Sequence, residues 1–162
     1  MPDKARLAHI ALMGEALMRL SPIIEADRAQ AVADLQAENF FAPVGLEIGP
    51  YSLTLSIQEG RLVFDIRRES ERPDTAPPIR TIALALGPFR GLIKDYQLLV
   101  DSHILAVEEG REARIQAIDM GRRGLHNEGA DLLKHRLAGK VEIDFETGRR
   151  LFTLVCVLHQ RI

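Results

Sequence analysis

The sequence predicts an α+β domain, an antiparallel sheet of about four to six strands packed against a long central helix and shorter helices. Three observations carry this expectation. Ser52-Leu-Thr-Leu-Ser-Ile57 and Arg61-Leu-Val-Phe-Asp-Ile66 alternate apolar and polar residues on either side of Glu59-Gly60, the pattern of two half-buried strands joined by a tight turn. Thr81 to Leu86 alternates in the same way. Gly87-Pro88 then switches the period, and from Phe89 to Val107 apolar residues recur every three and four positions, as on a helix with one buried face.

Taken in order, Leu7 to Leu12 is a short apolar stretch that reads as a strand. Ser21-Pro22 pairs an N-cap with proline at the first helical position, so a helix runs from Pro22 to about Glu38 and stops before Asn39-Phe-Phe-Ala-Pro43. The hairpin follows, with Leu53, Leu55, Ile57, Leu62, Phe64 and Ile66 sharing its buried face. Glu69 to Pro78, rich in proline and charge, is a surface loop. The strand from Thr81 to Leu86 turns Ile82, Leu84 and Leu86 to one side. Pro88 to Glu109 is then the central helix, ended by Gly110. Arg111 to about Met120 is a shorter helix with Ile115 and Ile118 inward, followed by a glycine-rich loop and a helix from Ala130 to Leu137 capped by Asn127. Lys140 to Phe145 alternates, Glu146-Thr-Gly148 can turn, and Arg150 to Leu158 is apolar. That last stretch reads as the return strand of a second hairpin, and a C-terminal helix capped at Thr147 fits the same pattern.

Composition bounds the function. A chain of 162 residues without repeats is one globular domain, residues 1–162, long enough to bury roughly 70% of its unfolded surface. A net charge of −2 and a pI near 6.2 argue against indiscriminate nucleic-acid binding and against a polybasic membrane surface, because counterion release needs many basic contacts on one face. The single cysteine, Cys156, forms no intrachain disulfide, no apolar run reaches the length of a membrane span, and the first residues lack the apolar core of a signal peptide. The expected location is the cytoplasm.

Functional groups concentrate in Asp119-Met-Gly-Arg-Arg-Gly-Leu-His-Asn-Glu-Gly-Ala130, where two arginines, a histidine, an asparagine and two carboxylates sit among three glycines. Read as a loop running into a helix N-terminus, this segment makes Arg122, Arg123, His126 and Asn127 candidate ligand-binding residues for a phosphate, a carboxylate or an acidic protein surface. The same charges, with Asp131, also suit a structural ion-pair network. His126 titrates near neutrality and Glu128 lies two residues on, so the two are the candidate catalytic pair for acid/base or hydrolytic chemistry. Gly121-Arg-Arg-Gly124 has the outline of a KH-type backbone clamp, with Gly148-Arg-Arg150 as a second basic point, but four residues are a weak signal and specific RNA contact is not expected. No zinc spacing, activated-serine elbow, phosphate-cradling loop or dinucleotide fingerprint occurs, so no metal is indicated and any cofactor is left unknown. Cys156 and His159, His103, and Arg67-Arg68 read as core thiol, core histidine and solvated charge respectively. The sequence allows a homodimer.

Gly87-Pro-Phe-Arg90 with Lys94-Asp-Tyr96, Ile118 to Gly129, and Arg149-Arg-Leu-Phe-Thr-Leu-Val-Cys-Val-Leu-His159, together with Gly49-Pro-Tyr51 and Asn39-Phe40, resemble the bacterial uncharacterised protein family 0262. The resemblance runs nearly end to end. It implies no activity, substrate or catalytic residue, and leaves three readings: a small binding or regulatory domain, an acid/base enzyme, and a structural interaction protein.

Overall fold

The computed structural model describes residues 4–46, 49–69, 71 and 76–159. Its elements are β1 (Leu7–Met13), a 3-10 turn (Glu15–Arg19), α1 (Pro22–Ala37), β2 (Phe41–Pro43), β3 (Tyr51–Gln58), β4 (Arg61–Arg68), β5 (Arg80–Ala85), a 3-10 turn (Gly87–Phe89), α2 (Arg90–Glu108), α3 (Glu112–Leu137), β6 (Val141–Ile143) and α4 (Phe145–Leu158). The α+β class holds.

The hairpin forms as the alternation requires, with Leu53 opposite Ile66 and Leu55 opposite Phe64, all four buried. Glu59 and Gly60 make the turn at φ 51° and 74°, a left-handed pair whose second position glycine adopts without a Cβ penalty. β5 adds antiparallel to β4. β1 joins on the far side, parallel to β3, so the four-stranded sheet is mixed, in the order β1-β3-β4-β5. β2 and β6 form a separate two-stranded ribbon, Phe41 opposite Ile143. Of the surface loop expected at Glu69 to Pro78, residues 70 and 72–75 lie outside the described set.

Three expectations change. First, Asp119 to Ala130 is not a glycine-rich loop but the middle of α3, one helix of 26 residues, and Asn127 caps nothing. The buried stripe Ile118, Leu125, Gly129, Leu133 and Leu137 runs unbroken through the segment at helical spacing, and that packing outweighs a cost of about 1 kcal/mol for each interior glycine. Second, Arg150 to Leu158 is helical, within α4. Its N-cap is Asp144, whose carboxylate accepts from the Thr147 amide at 2.8 Å, while the Thr147 hydroxyl accepts from the Phe40 amide at 2.9 Å. Third, the central helix is α4 and not α2. Every residue from Leu151 to Leu158 is buried, whereas α2 leaves Leu98, Leu105 and Val107 half-exposed. α4 carries a polar stripe at helical spacing, Glu146, Arg149, Arg150 and Thr153, but the run from Leu151 to Leu158 taken alone is apolar except for Thr153 and shows neither period clearly, which is why it also read as a strand.

Smaller corrections follow the same logic. Arg67 is not solvated: it is 7% exposed, and its Nε donates to the Ala76 carbonyl at 2.9 Å. His103 is half-buried at the α2–α3 contact, 3.5 Å from Asp119. Cys156 is buried in the core, as expected, though on a helix.

Candidate functional site

The site begins where α3 crosses α4. A Cβ on Gly129 would come within 2.3 Å of the Phe152 ring, and one on Gly148 would meet the backbone of Ala130 at 3.3–3.4 Å. Glycine at these two positions lets the helices approach closely. One turn back along α3, His126 lies edge-on to Phe152 at 6.4 Å between ring centroids, and 5.9 Å from Tyr96 of α2. A further turn back is Arg122, its guanidinium 6.0 Å from the Tyr96 ring centroid.

Asp27 of α1 ties these elements together. It accepts from the Tyr96 hydroxyl at 2.5 Å and pairs with Arg122 through the same carboxylate oxygen. Arg122 also lies 3.7 Å from Asp119. Burial pushes the Tyr96 hydroxyl well above its ordinary pKa, and the adjacent Asp27 charge pushes the same way. For Arg122, burial works against the charge, but the hydrogen bond and charge of Asp27 more than offset it and hold the pKa up. Burial, reinforced by Arg122, lowers His126 to about 4, against a smaller opposing pull from Asp27. The imidazole is therefore neutral at pH 7.

Beside this network, a cleft of about 150 Å³ opens between α1, α3 and α4. Its walls carry Asp27 and Asp34 from α1, His126 from α3, and Arg149, Arg150 and Thr153 from α4. Arg150 is held by Asp34 at 3.3 Å and Glu146 at 2.5 Å, whereas Arg149 reaches Glu146 only at 3.5 Å. Two nitrogens in the lining side chains, His126 Nε2 and Arg149 Nε, are buried with no hydrogen-bond partner among the described residues.

The residues singled out from sequence are thus divided. His126 enters the cleft and Arg122 braces it. Arg123 and Asn127 sit one turn apart on the exposed surface of α3. Glu128 lines a different groove, with Asp95 and Leu98 of α2, because two residues along a helix are separated by about 200° around its axis. The helix does not bring His126 and Glu128 together. Nor does Gly121-Arg-Arg-Gly124 form a clamp, since a clamp needs a loop and these residues are helical. Asp27, Asp34, Tyr96 and Thr153 were missed. The available signal was the helical spacing of Ile24, Asp27, Ala31 and Asp34, which puts two carboxylates on a buried face.

The α+β fold with a polar helix-lined cleft defines a class with no membrane-crossing helix among the described residues. The chain belongs to the Uncharacterised protein family (UPF0262), which matches residues 4–161. It is 68% identical to a UPF0262 protein of Granulibacter bethesdensis, over 97% of this chain and 91% of that one. It is 56% identical to one from Acidiphilium cryptum, over 98% and 94%, and 47% identical to one from Paramagnetospirillum magneticum, over 99% of both. No solved structure matches it.

Proposed function

We propose that this protein is a small binding domain that takes an acidic small molecule, by a carboxylate or phosphate group, in the cleft between α1, α3 and α4. The observation that carries this reading is the pair of unpartnered buried nitrogens, His126 Nε2 and Arg149 Nε, on side chains lining one cleft. A buried polar group left without a partner costs about 1–3 kcal/mol, and the lone pairs of an anion satisfy such groups. Arg149 supplies permanent charge and His126 a neutral polar contact. Asp27 and Asp34 on the opposite wall suit a ligand that also carries a hydroxyl or ammonium group. At about 150 Å³ the cleft encloses the acidic group and little more, well below the roughly 300–1,000 Å³ of pockets for drug-sized ligands.

This reading moves anion recognition from the glycine-arginine segment to α4. In it Arg122 serves the fold, neutralised by Asp27, and the cytoplasm is the compartment we propose. An enzyme built on His126 and Glu128 is the weaker reading, since the two line different grooves. The test is calorimetric titration of the full chain with inorganic phosphate and a panel of small carboxylates and amino acids. At least one probe is expected to bind, and Arg149→Ala is expected to weaken that probe at least tenfold while Arg123→Ala leaves it unchanged. Binding that survives Arg149→Ala, or no binding by any probe, would reject the cleft as the site.

A further inference from the structure

The sheet has two edges, and they are built differently. β5 carries a charge at its start, Arg80, which reaches the Val44 carbonyl. β1, at the other edge, carries none. Its seven residues, Leu7-Ala-His-Ile-Ala-Leu-Met13, contain no Asp, Glu, Lys, Arg or Pro. Native sheets ordinarily protect an edge with such residues, because an unpaired row of amides and carbonyls is a template for another strand. At Leu7 the outer row is closed off, its amide and carbonyl both bonded to the Asn39 side chain. Beyond Leu7, β3 is the only strand paired with β1 among the described residues.

The layer above this edge is also unfinished. Ile10 and Leu12 face the core side yet are only half-buried, and they line a groove of about 560 Å³ together with Ala29, Val32 and Ala33 of α1. Those α1 residues lie off the buried face formed by Ile24, Ala31 and Leu35. The helix therefore presents a second, small-residue face. Glu25 and Arg28 at one end of the groove neutralise each other at 3.7 Å, so its centre carries no net charge.

We infer that β1 is the interface of a homodimer, pairing antiparallel with β1 of a second copy to continue the two sheets into one, with the α1 helices covering the joint. A two-fold axis brings the same surface against itself, so the surface must tolerate its own image. This one does. Centred on Ile10, the register sets Ile10 against its own copy, His9 against Ala11, and Ala8, where the pairing with β3 slips, against Leu12, with no charged residue opposite a like charge and a small side chain opposite a larger one on either side of Ile10. A strand of seven residues and a helix of sixteen both run about 24 Å. Over a two-layer depth of about 20 Å they present roughly 500 Å² per copy, near the roughly 1,000 Å² total at which specific interfaces begin. The dimer is accordingly a concentration-dependent one.

The test is sedimentation equilibrium of the full chain up to roughly 0.1 mM, a range that captures micromolar association. Dimers are expected, and Ile10→Lys, which sets two ammonium groups on the axis, is expected to weaken them at least tenfold. Because Ile10 also touches the core, Ala29→Glu on exposed α1 surface provides a second variant, with the same weakening expected at unchanged melting temperature. Ile10→Cys should give a disulfide-linked dimer on mild oxidation, and Met18→Cys, 87% exposed but off the strand, should not. A monomer at every concentration would overturn the inference, as would a dimer that persists in both charged variants or that Ile10→Cys fails to link.

Discussion

At the scale of single residues, charge is sorted by burial. Arg122 is 13% exposed and pairs with an Asp27 that is 19% exposed, whereas its neighbour Arg123 lies on open helix surface. Removing one partner of a buried pair strands the other, so Arg122→Ala is expected to cost about 2–4 kcal/mol in urea denaturation. Arg123→Ala should stay within about 0.5 kcal/mol. His126 makes the stability pH-dependent. Its folded pKa of about 4 lies below the ordinary value of 6.5, so as pH falls the unfolded chain takes up the proton first and the native state loses ground. The loss starts near pH 6.5 and levels off below about pH 4, reaching roughly 3 kcal/mol. His126→Gln should flatten that portion of the profile, measured as unfolding free energy at pH 7 and pH 4. An equal acid loss in the variant would assign the titration elsewhere.

At the scale of elements, the glycines of α3 differ by what faces them. Gly129 abuts Phe152, while Gly124 has nothing within 4 Å. Gly129→Ala forces α3 and α4 apart and is expected to destabilise by about 2–3 kcal/mol or more, the range of overpacked cores. Gly124→Ala only improves helix propensity and should stabilise by about 0.5–1 kcal/mol. Opposite signs in one melting experiment would establish the segment as helix in solution. Two neutral results would point back to a loop.

At the scale of the whole molecule, stability is distributed outward from α4. It is enclosed by α1, α2, α3 and the sheet, whereas the far ends of α2 and α3, from Ile104 to Ala117, are largely exposed. Native-state hydrogen exchange follows such differences. The amides of Leu151 to Leu158 should exchange only with global unfolding, and those of Ile104 to Ala117 far sooner. Comparable protection in both regions would contradict this hierarchy.

The local pattern of the sequence by itself determined the hairpin, β5, α1, the span of α2 and the α+β class, because period and turn chemistry are properties of neighbouring residues. Gly60 in the turn and Pro22 at the start of α1 are signals of that kind. Whether the segment holding Gly121, Gly124 and Gly129 opens a loop or sits within a helix was decided only by tertiary structure, since the answer depends on Leu99 lying across from Gly121 and Phe152 across from Gly129. The same holds for the end of α4, where Leu151 to Leu158 is buried on every side because α1, α2, α3 and the sheet enclose it. The candidate cleft was half legible: His126 stood out through its chemistry, but Asp27, Asp34 and Arg149 reach it from helices more than a hundred residues apart in sequence. Sequence separation carries no distance, and it took the packing of α1, α3 and α4 to turn these side chains into one site.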